Sequence, residues 1–217
     1  MTSGAGQCVD HEGRRLASWG VATVPMKDEA ESGDTCLLQS SSDGLLIAAI
    51  DGAGHGAEAA VAARTAEAIL AAHAHESPIS LVLRCHDGLR ASRGVVMTLA
   101  LCHLRDRTLT WVGVGNVEAV LFRAGTGERS PSERIILRAG VVGYQLPPLR
   151  AEVLPLRPLD TLIMATDGVE ELFADKVELT GEPQEIANRI LAAHRKDTDD
   201  ALVVVVRYLG PADHDRS

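Results

Sequence analysis

Apolar residues fall in short runs punctuated by Gly, Asp and Pro, and the period of each run predicts its element. Residues 35–40 and 45–50 are apolar stretches flanking Asp43-Gly44, a dipeptide that signals a tight hairpin turn. Residues 57–74 are Ala-rich without a β-branched cluster, and Val61, Arg64, Glu67 and Leu70 recur at helical spacing, so a helix is predicted. Ser77-Pro78 supplies a cap followed by a first-turn proline and starts a second helix, with Ile79, Val82, Leu83 and His86 along one face. From Gly94 the texture changes. The runs 94–104, 107–114 and 117–123, separated by Arg105-Asp106 and Gly115-Asn116, predict an antiparallel meander.

Further on, 135–138 is a short strand candidate and the proline-containing stretch 147–158 is expected along a sheet edge. Residues 161–166 form another apolar strand, and 183–195 a helix with Ile186, Ile190 and Leu191 inward. The β-branched run 201–208 reads as a strand buried on both faces. The polar ends, 1–13 and 210–217, lack periodicity and are expected as flexible tails around one domain, 14–209. Strands grouped around paired helices, without strand–helix alternation, point to an α+β fold with antiparallel sheets covered by helices.

Composition narrows the function. The 217 residues are 46% hydrophobic and 24% charged, as in a folded globular chain. Lys+Arg number 21 against 30 Asp+Glu, and the net charge of −9 argues against nucleic acid and anionic membranes as partners. With two each of Phe, Trp and Tyr, base-stacking platforms are missing as well. Cys8, Cys36, Cys85 and Cys102 form no C-x-x-C pair, which fits reduced thiols in a cytosol. The N-terminus has no apolar signal region, and the longest apolar runs, such as 45–50 and 201–206, are far shorter than the roughly 18 residues of a membrane span. A soluble, monomeric cytoplasmic protein is expected.

The chemistry gathers at strand ends. Asp51 closes the run 45–50 and opens Asp-Gly-Ala-Gly-His-Gly; Asp167 closes 162–166 and opens Asp-Gly-Val-Glu-Glu-Leu. Asp199 and Asp200 precede 201–206, and Asp34 follows Gly33 ahead of a strand. A hairpin turn explains Asp43-Gly44, but not Asp51 or Asp167, which helix-like sequence follows. A helix N-cap could account for one aspartate and not for all four positions. Carboxylates brought together at buried strand ends resist ionisation, and divalent cations reverse that cost. Hard oxygen ligands select Mg²⁺ or Mn²⁺ over zinc, and a converged set can hold two ions that activate water and clamp a phosphoryl group.

Ser32-Gly33-Asp34, Asp51-Gly52-Ala53-Gly54-His55-Gly56, Thr166-Asp167-Gly168-Val169 and Asp199-Asp200 occur in the order that resembles PPM-type metal-dependent Ser/Thr protein phosphatases. The likeness runs from about Trp19 to Tyr208. It is strongest to the bacterial branch of SpoIIE, RsbU and RsbX, because of the Asp-Gly-x-Gly-His-Gly form and the lack of an Arg just before Ser32. Arg93-Gly94-Val95-Val96 followed by Val114-Gly115-Asn116-Val117 resembles the stressosome type, RsbX, in particular; that type is a bare catalytic domain, and the same is expected here.

The resemblance implies two stacked antiparallel sheets flanked by helices. It further implies that Asp51 bridges two Mn²⁺ or Mg²⁺ ions, that the Gly52 carbonyl binds one, and that Asp167 and Asp199 hold the other. Asp34 would ligate directly or through water, and a metal-activated water would attack phosphoserine or phosphothreonine in line. Two departures stand out. The family's general-acid His position, two residues after the bridging Asp, is Ala53, leaving His55 as the remaining catalytic candidate. Leu202 replaces a usual Thr, as a packing residue.

Other polar residues carry less. His73 and His75 face different ways on a helix end. Ser130 and Ser132 flank Pro131 in a polar loop without a His/Asp pattern, and Glu170 and Glu171 suit a helix dipole. The glycines after Asp51 lack the Gly-Lys-Ser/Thr of a nucleotide loop. The implied substrates are phosphorylated STAS-domain proteins of a stressosome, of RsbS/RsbR type. An RsbV-like anti-anti-sigma factor is an alternative substrate, and an inactive phosphoprotein-binding adaptor is an alternative role.

Overall fold

The computed structural model describes residues 2–9, 13, 15–41, 44–103, 106–125, 131–175 and 177–210. Two antiparallel sheets stack face to face. One contains, in spatial order, β1 (Thr2–Val9), β2 (Arg15–Val24), β11 (Ala201–Tyr208), β10 (Thr161–Ala165), β7 (Glu118–Phe122) and β8 (Ser132–Arg134). The other contains β3 (Asp34–Ser40), β4 (Gly44–Gly52), β5 (Val95–His103), β6 (Thr108–Val114) and β9 (Glu152–Pro155). Helices α1 (Ala57–Ala72) and α2 (Pro78–Gly88) cover the outer face of the five-stranded sheet, and α3 (Pro183–His194) covers the other. The expected α+β architecture is present.

Strand β4 shows why its sequence is an unbroken apolar run. Leu45, Ile47 and Ala49 point into the core between the sheets, while Leu46, Ala48 and Ile50 pack under α1 and α2. Strand β11 repeats the arrangement: Leu202, Val204 and Val206 face the inner core, and Ala201, Val203 and Val205 face α3. A strand with two buried faces cannot alternate with polar residues. Helix α2 begins as predicted, with Ser77 Oγ accepting from the Ser80 amide at 3.2 Å and Pro78 in the first turn.

Four expectations need correction. Residues 2–9 are not part of a tail: they pair with β2 along their length. Their sequence hides this because Gly6 sits opposite Trp19, and a Cβ at Gly6 would stand 2.2 Å from the indole; the strand is small so that the ring can lie across it. The meander ends at β6, since β7 leaves for the other sheet and pairs with β10 and β8. The short strand is Ser132–Arg134 rather than 135–138; Ile135 still donates to the Ala119 carbonyl, and Ile136 is exposed. Gly44 belongs to β4, opposite His103, and the Ser41 amide donates to its carbonyl, so the hairpin closes around 42–43, which lie outside the described residues. The expected C-terminal tail also lies outside them, apart from Gly210. All four cysteines are free thiols. No described helix is long and apolar enough to cross a membrane.

Candidate active site

The sheets bring the strand-end aspartates to one end of the sandwich. Asp34, the first residue of β3, lies directly across the ladder from Asp51 near the end of β4. Thr166, just after β10, donates its hydroxyl to Asp34 Oδ2 at 2.6 Å, and Thr166 Oγ1 in turn accepts from the Leu202 amide at 2.9 Å. One side chain thus ties an aspartate of the five-stranded sheet to two strands of the other.

Asp200 makes a second tie. It is fully buried, with Oδ1 accepting from the Met26 amide at 2.7 Å and Oδ2 from the Gly33 amide at 2.8 Å. Both oxygens face the loop that carries the chain from β2 to β3. Its neighbour Asp199 is more open and accepts from the Asp200 amide at 2.9 Å. Asp167 is held from two directions. Asn116 Nδ2 donates to its Oδ2 at 2.7 Å, and Lys196 Nζ donates to its backbone carbonyl at 2.6 Å. Gly168 follows because the backbone of Asp200 passes so near that a Cβ there would stand 1.8 Å from its carbonyl oxygen.

Electrostatics confirm the crowding. Burial pushes the Asp51 carboxyl up to about 9, and Asp34, Asp167, Asp199 and Asp200 add repulsion. Burial likewise lifts Asp34 to about 8, against the opposing hydrogen bond from Thr166, with further repulsion from Asp200, Asp167 and Asp199. Asp199 is raised by burial, while the nearby His55 works in the other direction. Among the described residues, no three His, Cys, Asp or Glu side chains stand in one ion-binding arrangement as they are. The donor set itself fits a hard divalent cation: it is made of oxygens, and its repulsion calls for positive charge.

His55 stands at the rim, its side chain 62% exposed and its Nδ1 3.0 Å from Glu29 Oε1. A cleft of about 650 Å³ opens beside Asp167, lined among others by Asn116, Arg134, Thr166, Phe173 and Lys196. The aspartates were legible from their places at strand ends. Asn116, Thr166 and Lys196 were not, because each acts through a partner distant in sequence. Thr166 and Asn116 did stand inside motifs that carried the family resemblance, but without a role attached to either.

Several known proteins are similar to this chain. The family model for Stage II sporulation protein E (SpoIIE) matches residues 41–216. Phosphoserine phosphatase RsbX of Bacillus subtilis (strain 168) is 25% identical over 112 residues, which cover 52% of this chain and 53% of that protein. The match thus spans about half the length of the curated relative. A solved chain described under the bacterial stressosome, as a modular system adapted to control secondary messenger signalling, superposes with a TM-score of 0.80 and 26% identity. That likeness covers 88% of this chain and 99% of the other. RsbX in complex with magnesium gives a TM-score of 0.80 at 17% identity, covering 94% and 99%, and shows the shared fold. With its sandwich, its strand-end aspartates and a family match over most of its length, the chain belongs to the SpoIIE family, whose fold is that of the PPM phosphatases.

Proposed function

We propose that this protein is a Mn²⁺- or Mg²⁺-dependent protein Ser/Thr phosphatase acting on phosphorylated STAS-domain proteins of a stressosome. The observation that carries the reading is the pair Asp34 and Asp51, opposed across β3 and β4 and driven toward the neutral state by burial and by three further aspartates. Such a cluster is costly for the fold alone and useful with cations. Asp51, the Gly52 carbonyl, Asp167, Asp199 and Asp34 would hold two ions. Bound there, divalent cations lower the pKa of water and neutralise charge on a phosphoryl group.

The chain's own residues orient these donors. Thr166 fixes the rotamer of Asp34, Asn116 and Lys196 fix Asp167, and Asp200 keeps the 25–33 loop against the site through two amides. Partners of this kind, one step removed from a ligand, sustain metal affinity and activity. Similarity to RsbX and to a stressosome chain supports the substrate class. The RsbV-like substrate keeps the same chemistry. The inactive adaptor is disfavoured by the retention of all four motif aspartates.

One exposed side chain supports docking of a folded partner. Tyr144 is 81% exposed, whereas Trp111, Phe122, Phe173 and Tyr208 are buried and Trp19 half-buried. It sits on a small turn closed by the bridge between Val141 and Gln145 and pinned to the start of β5 by the bridge between Val142 and Val95. Gly94, next along, accepts from the amide of Ala53 in the aspartate loop at 3.1 Å. An exposed, rigidly carried tyrosine continuous with the site suits docking of a phosphorylated domain. The deciding experiment is hydrolysis of an aryl phosphate and of a phosphorylated STAS domain. Activity should vanish with chelator and return with Mn²⁺; full turnover in chelator sinks the metal-dependent reading.

A further inference from the structure

A phosphomonoester dianion approaching five aspartates gains from positive charge fixed in the protein as well as from any ion. Three cationic side chains stand near the aspartate-bearing segments, and one of them, Arg134, is held by Glu118 and Asp175. Lys196 Nζ is engaged by the Asp167 carbonyl. Arg93 is differently placed. Gly52 pairs with Val95 across β4 and β5, and the Ala53 amide donates to Gly94 O, so Arg93 runs alongside Gly54. A Cβ at Gly54 would stand 3.0 Å from Arg93 Nη1, which puts the guanidinium against the loop that begins with Asp51.

The backbone there is held firmly. Gly94 N donates to Ser92 Oγ at 3.0 Å, Ser92 Oγ donates to Leu89 O at 2.8 Å, and Val95 and Val142 exchange amide bonds. The side chain, by contrast, is half-exposed beside a shallow cleft of about 470 Å³ shared with Glu58, Val61 and Ser92. Among the described residues its ion-pair partner is Glu58, whose Oε2 lies 2.5 Å from Nε and whose side chain is 73% exposed. An ion pair so exposed contributes little and is readily exchanged. A guanidinium offers a phosphoryl group two parallel donors.

We infer that Arg93 binds the substrate phosphoryl group, giving up Glu58 as the dianion enters. The inference rests on the phosphatase reading, and its test separates the two. In the full-length Mn²⁺-loaded protein, kcat and KM for an aryl phosphate are measured together with calorimetric binding of inorganic phosphate. R93A should raise KM and the phosphate Kd about 10-fold or more, with a smaller change in kcat. R93K should recover part of the loss, since it keeps the charge without the fork. E58Q should lower both constants by freeing the guanidinium. Melting temperatures of all three should match the wild type, because both side chains are exposed.

Unchanged KM and Kd in R93A overturn the assignment, as does E58Q weakening phosphate binding. A wild type that fails to turn over but binds phosphate in an Arg93-dependent way overturns the phosphatase reading and leaves the anion site standing.

Discussion

Asp51 is pushed up first by burial and then by repulsion from four other aspartates. Replacing it by Asn keeps its size and removes the charge that would balance two cations. Asp51→Asn should therefore lower turnover by more than the roughly 10–100-fold typical of residues that merely orient a ligand. Near-normal turnover would remove Asp51 from the bridging role. His55 belongs at the other extreme. Its ring is exposed and paired with Glu29, and Ala53 occupies the position where the family carries its acid. A general acid contributes about 10²–10³ or more. His55→Ala is expected to cost less than about 10-fold, even for poor leaving groups; a large, leaving-group-dependent loss would restore His55 as the acid. The aspartates could be recognised in the sequence because a charge ending an apolar run is conspicuous. Asn116 could not, because Gly115-Asn116 also reads as an ordinary turn and its partner, Asp167, lies across the fold.

At the scale of elements, adjacent residues divide the labour. Asp199 and Asp200 enter β11 together, yet Asp200 is buried on two backbone amides and Asp199 faces the cluster. Asp200→Ala strands both amides, each worth about 1–3 kcal/mol when left unsatisfied. It should lower the melting temperature by several degrees, whereas Asp199→Asn should abolish metal-supported turnover with the fold intact. Equal melting temperatures for the two variants would contradict this division. The turn bearing Tyr144 gives a second test. Tyr144→Ser should raise KM for an intact phosphorylated STAS domain about 10-fold and leave an aryl phosphate unaffected. An equal effect on both substrates would deny a docking role. Sequence patterning identified β4, β10 and β11 because two buried faces leave a continuous apolar signature. It missed β1, whose Gly4-Ala5-Gly6 has no apolar alternation and whose Gly6 is kept small by Trp19 opposite.

For the whole molecule, the raised carboxyls set how stability depends on pH. Burial and mutual repulsion push the Asp34 and Asp51 carboxyls up to about 8 and about 9 in the folded chain, against roughly 3.9 when unfolded. The folded state therefore binds extra protons between those values. Their contribution is fully present below about pH 4 and is lost as pH rises through the folded values. In chelator, the melting temperature should fall from pH 6 to pH 9, less steeply in Asp51→Asn, and Mn²⁺ should flatten the slope for the wild type. A melting temperature that climbs over this range would refute the buried, repelling cluster.

The position of β11 between β2 and β10 has a consequence for biosynthesis. Val21 must wait for Val204 to be made before it gains its inner neighbour, and Asp199 and Asp200 arrive with the same segment. Until then a nascent chain on the ribosome holds the β1–β2 hairpin as an isolated ribbon, which is marginal in water. Non-local pairing of this kind is slow and leaves strand edges open to aggregation. Completion of the sheet and completion of the acidic cluster are therefore one event. A translation product arrested before residue 199 should be a target for chaperones and proteases, and it lacks two of the cluster's aspartates.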